Sequence, residues 1–206
     1  MWVVVLRWAA LILIVLAGIY NLIGNDWRRI GFSLAIEFIA IFLFATLNIP
    51  FSLALVKLLE GWMAIAILGT TLSTLPVVDK TIFDHANRQF NETDPFSPKL
   101  FRVFFAVLIG IAIVVNIFFV HNLFLMIDRV QTIAGLFMLG FGILMCSFRQ
   151  TIYSSAVGLL TFMGGFEVLF VALEPSVLLL GLLAGVDLAI ASVCAWLIYI
   201  TSGAPE

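Results

Sequence analysis

Charge is the scarcest thing in this chain. Only 11% of its 206 residues are charged, while 64% are hydrophobic. A soluble domain carries roughly 25% charged residues, so a water-facing globule is excluded and the chain belongs in a bilayer. The net charge of −2 includes no basic stripe, which excludes a nucleic-acid partner. Histidine and cysteine occur twice each. Cys146 and Cys194 fall inside apolar runs, where they read as small buried side chains rather than a disulfide. His85 and His121 have no ligand at metal spacing and form no intramembrane pair for haem, so no metal and no cofactor is expected. No phosphate-binding loop, no G-x-G-x-x-G after a strand and no H-E-x-x-H is present, so the sequence offers no catalytic residues.

What is there is a series of apolar runs, each about long enough to cross a bilayer core as a helix. The first, from Trp2 to Tyr20, has Arg7 inside it, unlike a cleaved secretory signal, whose positive charge precedes the apolar stretch. The next two are separated only by Asn48-Ile49-Pro50 and must fold back as a hairpin. The spans then group as helices one to three over 1–72, a cytoplasmic loop over 73–100, helix four over 101–126 and helices five to seven over 131–200. The fold class is therefore all-α, a single polytopic membrane bundle of about seven transmembrane helices. In the loop, Val78, Ile82, Ala86 and Phe90 recur every fourth residue, which predicts a short amphipathic helix on the membrane surface. The sequon Asn91-Glu92-Thr93 faces the cytoplasm in this topology and is set aside.

Orientation follows from lysine and arginine. Arg28, Arg29, Lys80, Arg88, Lys99, Arg102 and Arg149 fall on one side, and Arg7 and Arg129 on the other. The first side is expected to be cytoplasmic, which places the N-terminus outside and the C-terminus inside a cell membrane. With seven spans, helices one to three and five to seven run in the same direction. Each triplet has an arginine at the inner start of its second helix (Arg29, Arg149) and a proline in its outer turn (Pro50, Pro175). Each also has an acid near the middle of its third helix (Glu60, Asp187), so the pattern is that of a three-plus-one-plus-three parallel repeat, of a kind transporter folds often contain.

Against so apolar a background, the band Glu37, Lys57, Glu60, Glu167 and Asp187 needs a reason, with Asn116 a neutral neighbour. Glu37 lies about twelve residues before the Asn48–Pro50 break and Glu60 about eleven after it, so at ~1.5 Å per residue the two reach similar depth and are expected to approach each other. Lys57 is on the Glu60 face. A charge at that depth costs ~3 kcal/mol or more unless paired or hydrated, and intramembrane ionisable groups mark proton relays and ion paths. The competing explanation is a structural ion pair, but intramembrane hydrogen bonds contribute only ~1 kcal/mol, a weak reason for four acids. Gly181-x-x-x-Gly185 offers a small-residue face for close helix packing.

At these residues the chain resembles the K subunit of complex I, the C subunit of Mrp-type cation/proton antiporters and the E-type membrane subunit of membrane-bound hydrogenases. Arg28-Arg29 precede Glu37, and Glu60 follows on the next helix, as in the three-helix complex I subunit. Arg149, Gly158-Leu159 and Gly164-Gly165 resemble the same pattern again, and Leu183-Ala184-Gly185-Val186-Asp187-Leu188-Ala189 resembles the stretch around the third-helix glutamate, with Asp187 in its place. Leu160 and Met163 stand where the complex I and hydrogenase subunits have a glutamate, and Glu167 lies seven residues beyond Leu160 on the same face. The length fits the hydrogenase-type subunit best. The resemblance implies a non-catalytic subunit that continues a line of mid-membrane charges beside antiporter-like membrane subunits and carries no cofactor. Two other readings stay open: a structural or assembly subunit whose charges lock its helices, and a small-solute transporter. Prolines confined to turns weigh against the transporter, whose helices are usually broken at mid-depth.

Overall fold

A computed structural model of the chain describes residues 2–24, 26–74, 98–123, 128–149, 151–174 and 176–201, without the side chains of 2, 98, 99 and 116–123. The expected surface helix, the sequon, His85 and Pro175 lie outside the described residues, as do the side chains of Asn116 and His121.

Seven α-helices and no strands form among the described residues: α1 (Trp2–Ile23), α2 (Trp27–Ala45), α3 (Phe51–Thr74), α4 (Pro98–Leu123), α5 (Arg129–Phe148), α6 (Ile152–Leu173) and α7 (Val177–Thr201). The architecture is a helical membrane bundle. Five of them, α1, α3, α5, α6 and α7, are long and apolar enough to cross a membrane. The seven helices agree in number with the expected spans, and these five meet the length and composition of a span among the described residues. Of the other two, α4 has its side chains described over 100–115, an apolar stretch. Within its 19 residues α2 carries Arg28, Arg29 and Glu37. It nonetheless sits well inside the bundle, against α1, α3 and α6.

The breaks between helices have local causes. At the end of α2, Asn48 Nδ2 donates to Phe44 O at 3.1 Å and Thr46 Oγ1 donates to Leu43 O at 2.8 Å, satisfying carbonyls the helix leaves open. Pro50 then supplies the first acceptor of α3, from Leu53 N and Ala54 N. α5 begins on Asp128, whose side chain accepts from Val130 N, and α6 on Thr151, which accepts from Ser154 N.

The helices form a block two rows deep. α1, α2 and α3 make one row and α5, α6 and α7 the other, with α1 beside α5, α2 beside α6 and α3 beside α7. α4 lies outside the block, on α5 and α1. Cross-row contacts join like ends. Arg7, early in α1, pairs with Asp128 at the start of α5 at 2.9 Å. Tyr153, at the start of α6, donates to Trp27 O at the start of α2 at 2.9 Å. Matching helices therefore run in the same direction.

Within the second row, α5 and α6 touch backbone to backbone. A Cβ on Gly142 would lie 2.6 Å from Gly158 O, and one on Gly165 would lie 2.8 Å from Gly135 O. Gly135 and Gly142 are seven residues apart, as are Gly158 and Gly165, so each helix presents both glycines on one face. The close packing expected at Gly181 and Gly185 is not found among the described residues: a Cβ on either would meet nothing within 4 Å. Both glycines face away from the neighbours of α7.

Candidate functional site: a buried charge cluster and a lone glutamate

Four of the five expected residues come together. Lys57 of α3 bonds Glu167 of α6 through Nζ and Oε1. The same Nζ is 2.9 Å from Glu60 Oε2, at ion-pair distance though not aligned as a hydrogen bond. Asp187 of α7 completes the group: one oxygen from each of Glu60, Glu167 and Asp187 lies within 4.8 Å of the other two. All four residues are buried. The cluster thus forms where α3 and α7 of the two rows face each other, with α6 alongside.

One ammonium faces three carboxyl groups. Glu60 Oε1, Glu167 Oε2 and both Asp187 oxygens are buried without a hydrogen-bond partner. Carboxylates cannot donate to one another. The three converging oxygens are also close enough to hold a hard cation between them, and the Lys57 ammonium pairs with two of the three carboxyl groups, Glu60 and Glu167.

Glu37 is held apart from the cluster. It accepts from Asn21 Nδ2 of α1 at 3.2 Å and from Thr161 Oγ1 of α6 at 2.8 Å. The expected approach of Glu37 to Glu60 gives way to these partners because the α2–α3 contact is already filled. The Phe38 ring lies where a Cβ of Gly61 would stand, 2.1 Å away, and this turns the preceding residue, Glu37, toward α1 and α6. Between the two groups, at Gly164, the space holds the side chains of Ile41 and Met138. Thr161 and Glu167 are six residues apart on α6, or ~9 Å. An apolar layer therefore separates Glu37 from the charge cluster.

Each end of the block has its own polar clasp. On the Glu37 side, Arg149 donates to Asn21 O and Gly24 O, the open carbonyls at the end of α1. Burial, with the Arg102 charge adding to it, draws the Arg149 guanidinium down to about 10, so it stays a cation at neutral pH. On the other side, Asn48 Nδ2 donates to Gln131 Oε1 at 3.2 Å, and Gln131 Nε2 donates to Val168 O at 2.8 Å, next to Glu167.

Asn21, Thr161, Gln131 and Arg149's clasping role were not singled out by sequence. Thr161 is the instructive case. Thr70, Thr71, Ser147, Ser192 and Thr201 donate to carbonyls of their own helices, the usual fate of a hydroxyl in an apolar helix. Thr161 crosses to another helix, and nothing in its local sequence distinguishes it from the others. No protein-family model, no curated protein and no solved structure matches the chain.

Proposed function

We propose that the chain is a non-catalytic subunit of a proton- or sodium-translocating complex in a cell membrane, with its N-terminus outside. In this reading it resembles complex I, Mrp antiporter and hydrogenase membrane subunits in function as well as in sequence pattern, and it works beside antiporter-like partners. Glu37 is one station of an ion path, and Lys57, Glu60, Glu167 and Asp187 form the next. The observation that supports this is the excess of acid over base in the cluster. A lock between helices needs one carboxylate per lysine. Here three carboxyl groups share Lys57 inside a membrane bundle, so those the lysine does not balance must take up a proton or a cation. The Asn21–Glu37–Thr161 bonds give the inner side a first acceptor, and crossing the Ile41–Met138 layer is the gated step.

The competing reading is a polar lock, favoured by one contact, the Lys57–Glu167 bond that ties α3 to α6. Glu60→Gln and Asp187→Asn separate the two. Each keeps its size but cannot release a proton. In the host complex, purified by a tag on this chain and reconstituted in vesicles, a relay predicts lower proton or sodium pumping per assembled complex at normal yield. A lock predicts lower yield and unchanged pumping per complex. Wild-type pumping by both variants would end the relay for these residues.

A further inference from the structure

We propose that the outer face of α1 and α2 binds one anionic phospholipid, its phosphate on Arg28 and Arg29 and one acyl chain in the groove below them. The site is separate from the charge cluster and does not rest on the proposed ion path. The groove has a volume of about 470 Å³, within the range of specific small-ligand sites. Its floor is Ala17 and Ser33, whose small side chains stand where the two helices approach. Ser33 Oγ already donates to Ala17 O at 3.0 Å, so the floor presents no open hydrogen-bonding group. Leu13, Leu16, Phe32 and Ile36 form the walls. Leu16 and Phe32 are exposed at the surface of the bundle, so the groove opens sideways, where lipid would lie.

The chemistry of the mouth decides the occupant. Arg28, Arg29 and Tyr20 border the groove at one end only. The Arg28 guanidinium rests 5.2 Å from the centre of the Trp27 ring, a contact that leaves its N–H donors free. Arg29 pairs with Asp26 at 3.1 Å, but both side chains are mostly exposed, and such a pair holds its arginine weakly. Two guanidinium groups bordering one mouth match a phosphate, which a guanidinium can bind in bidentate fashion. From Arg29 to Ile36 the groove descends seven residues, or ~10 Å. That is a large part of one leaflet's ~15 Å of hydrocarbon. A positive rim above a dry lateral slot of that depth fits a single-tailed grip on an anionic lipid of the arginine-side leaflet. Basic pockets between membrane helices on the cytoplasmic side recognise such headgroups.

The test is retention of lipid by the purified full-length chain, read by native mass spectrometry after equilibration with equal amounts of phosphatidylglycerol and phosphatidylcholine of identical tails. The wild type should retain one phosphatidylglycerol in about tenfold preference. Arg28→Gln with Arg29→Gln should bring that preference to near unity while the helical circular dichroism is unchanged. Ile36→Trp, which fills the groove and keeps both arginines, should lower retention of the bound lipid. Equal retention of the two lipids by the wild type overturns the proposal. So does undiminished retention in either variant, or a polypeptide cross-linking to a probe at Phe32 in native membranes, since that would mean a protein covers this face.

Discussion

Glu37 and Glu167 are both buried acids on facing helices, yet they are held in opposite ways. Glu37 has two neutral donors, Asn21 and Thr161. Glu167 has a lysine and two further carboxyl groups, Glu60 and Asp187, around it. A carboxyl group with neutral partners changes its charge without breaking an ion pair. In the cluster, any change of charge on one member alters the balance for the other three. The first arrangement suits a group that works alone, the second a set that works together.

The largest expected difference lies in removing the cation. Lys57→Met leaves three acids facing one another, and stripping one side from a buried ion pair costs about 3–5 kcal/mol. The variant should accumulate poorly and unfold in detergent at a much lower denaturant concentration. Glu37→Gln, which can keep both its hydrogen bonds, should fall within about 1 kcal/mol of the wild type in the same assay. Equal stability of the two variants would mean that the two acids do not differ in the way described.

A smaller effect is expected at the wedge between the two regions. Gly61→Ala places a Cβ 2.1 Å from the Phe38 ring, and overpacking of this kind costs about 1–3 kcal/mol. Paired with Phe38→Leu, which shortens the ring side, Gly61→Ala should regain part of that loss. A fully additive double variant would show that Phe38 and Gly61 do not set the spacing of α2 and α3. A comparably small effect is expected at Thr161. Thr161→Val keeps the shape and removes one donor from Glu37, for a loss of about 0.6–1.7 kcal/mol in a membrane helix, and a double-mutant cycle with Glu37→Leu, which removes the acceptor, should be non-additive.

Much of the bundle can be read from the sequence because bilayer thickness makes apolar run length informative. Three helices, α5 to α7, fill the stretch in which three spans were expected, and the Asn48–Pro50 break does separate α2 from α3. The acids stand out for the same reason, since each interrupts an apolar run. Which acids meet is another matter. Depth can be counted along a helix from its turn, but rotation about the helix axis is set by packing, and the packing between α2 and α3 turns on a phenylalanine fitting over a glycine. That detail sends Glu37 to α1 and α6. The convergence of Glu60, Glu167 and Asp187 from three helices leaves no spacing to find, because no two of them but Lys57 and Glu60 share a turn of one helix. Glycine is a coarser signal: Gly181 and Gly185 fit a known short motif, while the contacts that form among the described residues use Gly135, Gly142, Gly158 and Gly165 at a seven-residue spacing.

Those paired glycines also set what is stiff in the molecule. Where Gly142 meets Gly158 and Gly135 meets Gly165, main chain rests on main chain, which leaves little slack between α5 and α6 to absorb a displacement. The two helices must shift as one beam, carrying Thr161 and Glu167 with them at fixed separation. Lys57 is the opposite kind of part, an ammonium at the end of a flexible four-carbon stem. Motion at the cluster is therefore left to the tether rather than the frame, and the lysine can change carboxyl partners while the helix that bears Glu167 stays in register with its neighbour.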